Sequence, residues 1–140
     1  DKLVRLLVKA NHIVGLSPFQ DFDRLVFGVY KYFRKSPIIP DMIEAGIDIL
    51  NPIQWRCKGM DRATLKRDFG NQVVFHGGID NQQTLAFGTV DDVVEEVRQS
   101  VEIYRDARWI CAPCHNLQPV SPTENIVAMY EAAYDYGFYH

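Results

Sequence analysis

The sequence predicts an α/β fold with parallel strands, on the strength of three observations. Short apolar runs recur at residues 47–50, 73–75 and 109–112. Each is followed by a stretch in which apolar residues return every three or four positions, the spacing of a helix that buries one face. Strands alternating with helices in this way pair in parallel through right-handed crossovers, which separates the pattern from a segregated α+β arrangement.

The elements follow in order. Leu3, Leu6, Leu7, Ala10 and Val14 form one helical stripe, and Gly15 supplies a left-handed stop. Pro18 then interrupts any helix, and the aromatic residues from Phe19 to Phe33 fit neither period. Residues 1–36 are therefore expected to be a helical and irregular segment ahead of βα units in 37–140. Ser36 and Pro37 can cap and start a helix through Met42, Ile43 and Ala45 that ends at Gly46. A strand over Ile47 to Leu50 should end at Asn51-Pro52. Asp61 is placed to cap the next helix, with Met60 set to pack against Leu65 and Gly70 just past the end. Val73 to Phe75 reads as a strand closing on His76-Gly77-Gly78. Thr89 caps a helix whose Asp91 and Asp92 favour the positive dipole end and whose stripe is Val93, Val97, Val101 and Tyr104. After the strand Trp109 to Ala112, Ser121-Pro122-Thr123-Glu124 has the form of a capping box. It would open a helix through Ile126, Met129, Tyr130 and Ala133 to Gly137.

Composition narrows the function. With 140 residues, 47% hydrophobic and 24% charged, the chain can build one buried core. A formal net charge of −3 argues against an electrostatic grip on nucleic acid or an acidic membrane. No apolar run approaches the ~20 residues that cross a bilayer, and residues 1–15 lack the form of an export signal. Three cysteines do not suggest a disulfide scaffold. The expectation is a cytoplasmic chain whose partners are small molecules or protein.

No G-x-G-x-x-G or phosphate-binding loop follows any strand, which weakens a nucleotide-binding sheet. Polar, Gly- and Pro-containing residues collect instead after each strand, where a (β/α)8 barrel carries its active-site loops. Such a barrel needs ~250 residues, so about three βα units are a portion of one. Three groups of residues are expected on its rim: Asn51 and Gln54, then His76 and Asp80, then Cys114, His115 and Asn116. Taken singly, the asparagines and Gln54 can equally satisfy loop backbone groups.

Cys111-Ala112-Pro113-Cys114-His115 matches the spacing of haem attachment and of a redox motif. Haem attachment requires export, and redox chemistry wants its first cysteine at a helix N-terminus, whereas Cys111 falls in a strand. Cys111 is expected to be a small buried core residue, and Cys114 and His115 to face solvent past the strand. A thiolate and an imidazole can bind zinc, but a catalytic zinc takes three protein ligands and a structural one four. Only Cys57 and His76 remain as further candidates, with no metal spacing. His12 and His140 receive no role, and the aromatics from Tyr130 to Tyr139 are expected to pack on the sheet or on a neighbouring subunit.

Longer motifs then become legible. From Pro37 to Gly137 the string resembles the C-terminal part of the uroporphyrinogen decarboxylase family, particularly its decarboxylase-like bacterial branch. The residues that carry the resemblance are Ile38 to Gln54 (IIPDMIEAGIDILNPIQ), Gly59-Met60-Asp61 with Leu65 to Gly70 (LKRDFG), and His76-Gly77-Gly78-Ile79-Asp80. It continues through Phe87-Gly88-Thr89, Ala112 to Asn116 (APCHN) and Pro122 to Ile126 (PTENI).

This resemblance implies the last three strands and helices of a (β/α)8 barrel. Within the family, decarboxylases remove acetate carboxyls from uroporphyrinogen without metal or organic cofactor. Methyltransferase relatives use zinc to activate a thiol against a methyl-corrinoid. By motif, His115 takes the place of a substrate-contacting histidine of the decarboxylases and is the implied catalytic residue, with Asn51, Gln54, His76, Asp80 and Asn116 around the substrate. Cys114 takes the place of the last zinc-ligating cysteine of the methyltransferases. Two departures qualify the match. Tyr32 to Ser36 stand where the methyltransferases carry a His-x-Cys pair, and the substrate-gripping arginines and aspartate of the decarboxylases belong to an N-terminal half that the motifs do not reach. A truncated or internally deleted decarboxylase-like lyase is the first expectation. A zinc- and corrinoid-linked methyltransferase is the second, and a noncatalytic fragment or binding module that self-associates over its strand edges is the third.

Overall fold

The computed structural model describes residues 38–137. The chain forms two compact units, Asp1–Asp48 with Cys57–Gly59 and Ile49–Arg56 with Met60–His140. The helix expected before Gly15, the residues Ser36 and Pro37, and the terminal Phe138 to His140 lie outside the described residues.

In the first unit, helix α1 (Ile38–Glu44) stops where Gly46 was expected to stop it. Gly46 takes φ +97°. Its N–H donates to Ile43 O at 2.9 Å, and the Ile47 N–H donates to Met42 O at 3.3 Å. This crossed pair satisfies two carbonyls that a helix end leaves open.

The second unit contains β1 (Ile49–Ile53), α2 (Arg62–Phe69), β2 (Val74–Ile79), α3 (Thr84–Phe87), α4 (Val90–Tyr104), β3 (Trp109–Pro113) and α5 (Thr123–Gly137). The strands make one parallel sheet in the order β1-β2-β3. The alternation legible in the sequence is therefore the observed architecture, with the short α3 added.

Two strands run further than their local signals indicate. β1 passes through Asn51-Pro52, and the register jumps there from Leu50↔Phe75 to Ile53↔Gly77, leaving one extra residue on β1. Within the described sheet β1 is an edge strand, where a missing proline N–H is tolerated and a bulge absorbs the extra residue. β2 continues past His76 through Gly77 and Gly78, at φ +107° and +96°. These glycines read locally as a turn, but they serve close approach between strands. A Cβ at Gly77 would lie 3.0 Å from Ile53 N, and one at Gly78 would lie 3.3 Å from Trp109 Nε1.

Helices cover one face of the sheet. The stripe Val93, Val97, Val101 and Tyr104 of α4 is buried as expected and packs with Ile79, Leu85, Ala128, Met129 and Ala132. Tyr104 bridges Phe75 and Trp109, with ring centroids 5.4 and 5.1 Å away. On the opposite face Ile49 and Ile110 are 50% and 44% exposed.

Caps formed by adjacent residues match expectation. Asp61 accepts from the Thr64 N–H at 2.8 Å. Thr89 and Asp92 bond reciprocally at 2.8 and 3.2 Å. The box at Ser121 does not form: α5 begins at Thr123, one residue too late, and the Ser121 hydroxyl is buried without a partner among the described residues. The inward face of α5 is also rotated, to Asn125, Ala128, Met129 and Ala132. Asn125 turns inward because its amide donates to Gly88 O at 2.8 Å and Leu85 O at 3.3 Å. Tyr130, expected on that stripe, is instead 58% exposed. Tyr134 and Tyr136 are exposed too, so these aromatics do not pack on the sheet. No helix of the described residues is long and apolar enough to cross a membrane.

The two serine/threonine positions should behave oppositely. Thr89→Ala is expected to lower stability by about 1 kcal/mol through loss of its cap. Ser121→Ala should leave stability unchanged or raise it, because it removes a buried hydroxyl that bonds nothing. Urea unfolding midpoints of the two variants check this, and a loss at Ser121 equal to that at Thr89 would contradict the observed start of α5.

Candidate functional site

Just past the C-terminal ends of β1 and β2, Gln54 and Asp80 meet in a buried polar cluster. Asp80 is fully buried, and each of its carboxylate oxygens accepts two bonds. Oδ1 takes Gln54 Nε2 at 3.2 Å and the Gln82 N–H at 3.0 Å. Oδ2 takes Arg56 Nε and, at 3.2 Å, the Gln83 N–H. A carboxylate offers about four acceptor positions, so Asp80 has none open. Its work is to bind the loop after β1 to the loop after β2.

Glu96 joins both loops to the helix layer. It is buried on α4, and its Oε1 accepts the Asp80 N–H and the Trp55 indole N–H, each at 2.8 Å. Guanidinium carbons of Arg56 and Arg62 lie 4.5 and 4.3 Å from the centre of the Trp55 ring, the range of a cation–π contact. Arg56 also donates from Nη2 to Thr84 Oγ1 at 3.3 Å. Arg62 is 6% exposed and donates from Nη1 to Ser100 Oγ. Burial pulls the Arg62 guanidinium below its usual range, while the charge of Glu96 opposes that shift.

Asn51 and His76 lie elsewhere. They were expected on loops past the strand ends, but the lengthened β1 and β2 put both inside strands, on the face that the helices do not cover. The bulge sets Asn51 beside His76, and His76 Nδ1 and Asn51 Oδ1 are 3.0 Å apart. An amide oxygen can only accept, so in this contact Nδ1 is the donor. Of the residues expected on one rim, Gln54 and Asp80 thus meet past the strand ends, tied to α4, whereas Asn51 and His76 meet within the strands on the helix-free face.

Past β3 the chain turns inward at once. Cys114, expected to face solvent, is 3% exposed. Its N–H donates to Ile79 O and its thiol to Ile53 O, both at 2.8 Å. Burial pushes the thiol up to about 12. Cys111 is partly buried against the helix core, and burial pushes it up to about 12 as well. Redox-active cysteines need the opposite shift. His115 is half-buried, and the backbone carbonyl of Asn116 accepts from Gln118 Nε2 at 2.9 Å.

Among the described residues the donor set does not fit a zinc centre on Cys114. The sulfur is already hydrogen-bonded to Ile53, and among the described residues no three His, Cys, Asp or Glu side chains are grouped to hold a metal ion. Trp55, Arg56, Arg62 and Glu96 escaped the sequence reading. One signal could have found Glu96: with Ser100 it interrupts the apolar stripe of α4 at inward positions, between Val93 and Tyr104.

Two outcomes follow from this geometry. Glu96→Leu should cost roughly 1–3 kcal/mol for each of the two donors it strands, whereas Glu96→Gln, which keeps an acceptor oxygen, should retain most of the stability; equal losses in the two variants would contradict the double bond. For Cys114 the folded thiol stands near 12 against an ordinary value of 9.0. As pH rises above 9 the unfolded chain therefore loses this proton first, and stability falls through that window. Unfolding midpoints measured at neutral and alkaline pH should show a shallower fall in Cys114→Ala than in the parent.

A family model described as uroporphyrinogen decarboxylase (URO-D) matches residues 23–136, beginning upstream of the Pro37 at which the motif resemblance starts. No curated protein matches the chain. Three parallel strands with helices on one face are the arrangement that consecutive βα units of a (β/α)8 barrel make. With the family model spanning most of its length, the chain belongs to the uroporphyrinogen decarboxylase family.

Proposed function

We propose that this chain supplies part of the substrate chamber of a decarboxylase-like lyase acting on a carboxylated tetrapyrrole of the uroporphyrinogen type, without metal or organic cofactor and in a cytoplasmic setting. The observation that supports it best is the helix-free face of the sheet. There the Asn51–His76 pair sits among Ile49 and Ile110, so one surface offers both apolar area and a polar anchor. A flat apolar macrocycle with carboxylate arms asks for that combination. In a closed barrel this face turns inward, towards the chamber that opens at the strand C-termini.

Decarboxylation breaks the bond between the carboxyl carbon and its neighbour. CO2 leaves, the electron pair stays on the remaining carbon, and a proton must reach it. His115, just past β3, is the group assigned to hydrogen-bond the substrate and assist that protonation. Asn51 and His76 hold the ring, while Gln54 and Asp80 fix the loops that shape the entrance. Cys114, buried with its thiol already donating to Ile53 O, favours this chemistry over metal-assisted methyl transfer, which would need that sulfur as a ligand.

The assay is CO2 release from uroporphyrinogen by the protein that carries this chain. His115→Ala is expected to lower kcat by about 10²- to 10³-fold with the fold intact. His76→Gln should act mainly on KM. Zinc bound stoichiometrically in the parent and lost in Cys114→Ser, or a protein inert towards uroporphyrinogen, would overturn the proposal.

A further inference from the structure

The reaction proposed above makes no use of a cleft on the helix-covered side of the sheet, beyond the ends of β1 and β2. Its volume is about 380 Å³, and Trp55, Arg56, Arg62, Thr84 and Phe87 are among its lining residues. That is room for a small organic molecule. Phe87 is 69% exposed and offers an apolar surface at the cleft wall.

The carboxylates lining this cleft are partly engaged, Asp92 through Oδ2 and Glu96 through Oε1. Asp92 takes the Thr89 N–H and hydroxyl at 2.8 and 2.7 Å. Glu95 takes Arg98 and Gln99 at 2.7–2.8 Å. Glu96 takes Trp55 and the Asp80 N–H.

The guanidiniums retain open donors. A guanidinium has five N–H groups. Arg56 bonds through Nε and Nη2 to Asp80 and Thr84, leaving Nη1 open among the described residues. Arg62 bonds only through Nη1, to Ser100, and forms no ion pair among the described residues although it is 6% exposed. Its remaining nitrogens are not among the buried polar atoms sealed from solvent, so what access they have is through the cleft that Arg62 lines.

The nearly buried Arg62, without a carboxylate partner among the described residues, is the group an occupant would satisfy, and a carboxylate matches guanidinium geometry better than any neutral group. We infer that the Trp55–Arg56–Arg62 cleft is a binding site for a small carboxylate with an apolar body, its carboxyl taken by the open guanidinium donors and its body set against Phe87. The site lies on the side of the sheet opposite to the Asn51–His76 pair, and the inference does not depend on the reaction proposed above.

Benzoate and its neutral isostere benzamide are the probes, because they share shape and differ in charge. The readout is the indole N–H resonance of Trp55, told apart from that of Trp109, the other tryptophan of the chain, with a Trp109→Phe variant. Benzoate should shift it saturably, and benzamide at the same concentration should not. Arg56→Gln, at a half-exposed position, should weaken benzoate binding about tenfold or more, the size of a lost charge-assisted hydrogen bond. Arg62→Lys should weaken it as well, with an unchanged Trp109 signal reporting an intact fold. No saturable response, an equal response to the two probes, or benzoate binding unchanged in folded Arg56→Gln would each overturn the site.

Discussion

One carboxylate oxygen ties the functional end of the second unit together. Glu96 Oε1 receives a backbone N–H from the first residue after β2 and an indole N–H from the second residue after β1, so two loops distant in sequence meet on a single atom of α4. Inside a protein such a junction is strong when fully satisfied and costly when it is not. Here it is satisfied, and Asp80, held at its backbone, can in turn use four acceptor positions to hold Gln54, Arg56 and the start of the following turn. Without that anchor the β1 and β2 loops would be held together by the bonds of Gln54 and Arg56 to Asp80 and of Arg56 to Thr84.

What was legible in the sequence is what is set locally. Asp61 and Thr89 cap helices whose first turns lie within three residues, and both act as their spacing implies. The stripe of α4 is an i, i+4 pattern of valines and needs no tertiary information to be seen. The strand ends were not legible, because Asn51-Pro52 and Gly77-Gly78 are turn signals in isolation. Their extended form depends on a neighbouring strand: the bulge absorbs the proline, and the glycines admit Ile53 and Trp109. The same holds for α5, where Asn125 faces inward only because two carbonyls on another segment await its amide.

The candidate residues divide along that line too. Gln54 with Asp80, and Asn51 with His76, were nameable as polar groups near strand ends, and parallel pairing does bring each pair into contact. That the two pairs stand apart follows from where the strands end: Asn51 and His76 lie within them, and Gln54 and Asp80 each lie one residue beyond. Arg56 and Arg62 went unseen because surface arginines are common in any sequence, and what marks these two is a shared indole and an incomplete set of partners. Cys114 shows the converse. Its place in a C-x-x-C-H string suggests reactivity, and its burial removes it.

The bulge in β1 also constrains how this strand can change. Leu50 and Ile53 are both buried, three positions apart, while Asn51 is exposed. Regular alternation cannot satisfy all three demands, so the spare residue is a phase shifter between a packing requirement upstream and a chemical one downstream. The count of residues from Leu50 to Ile53 is thereby held fixed by geometry at both ends.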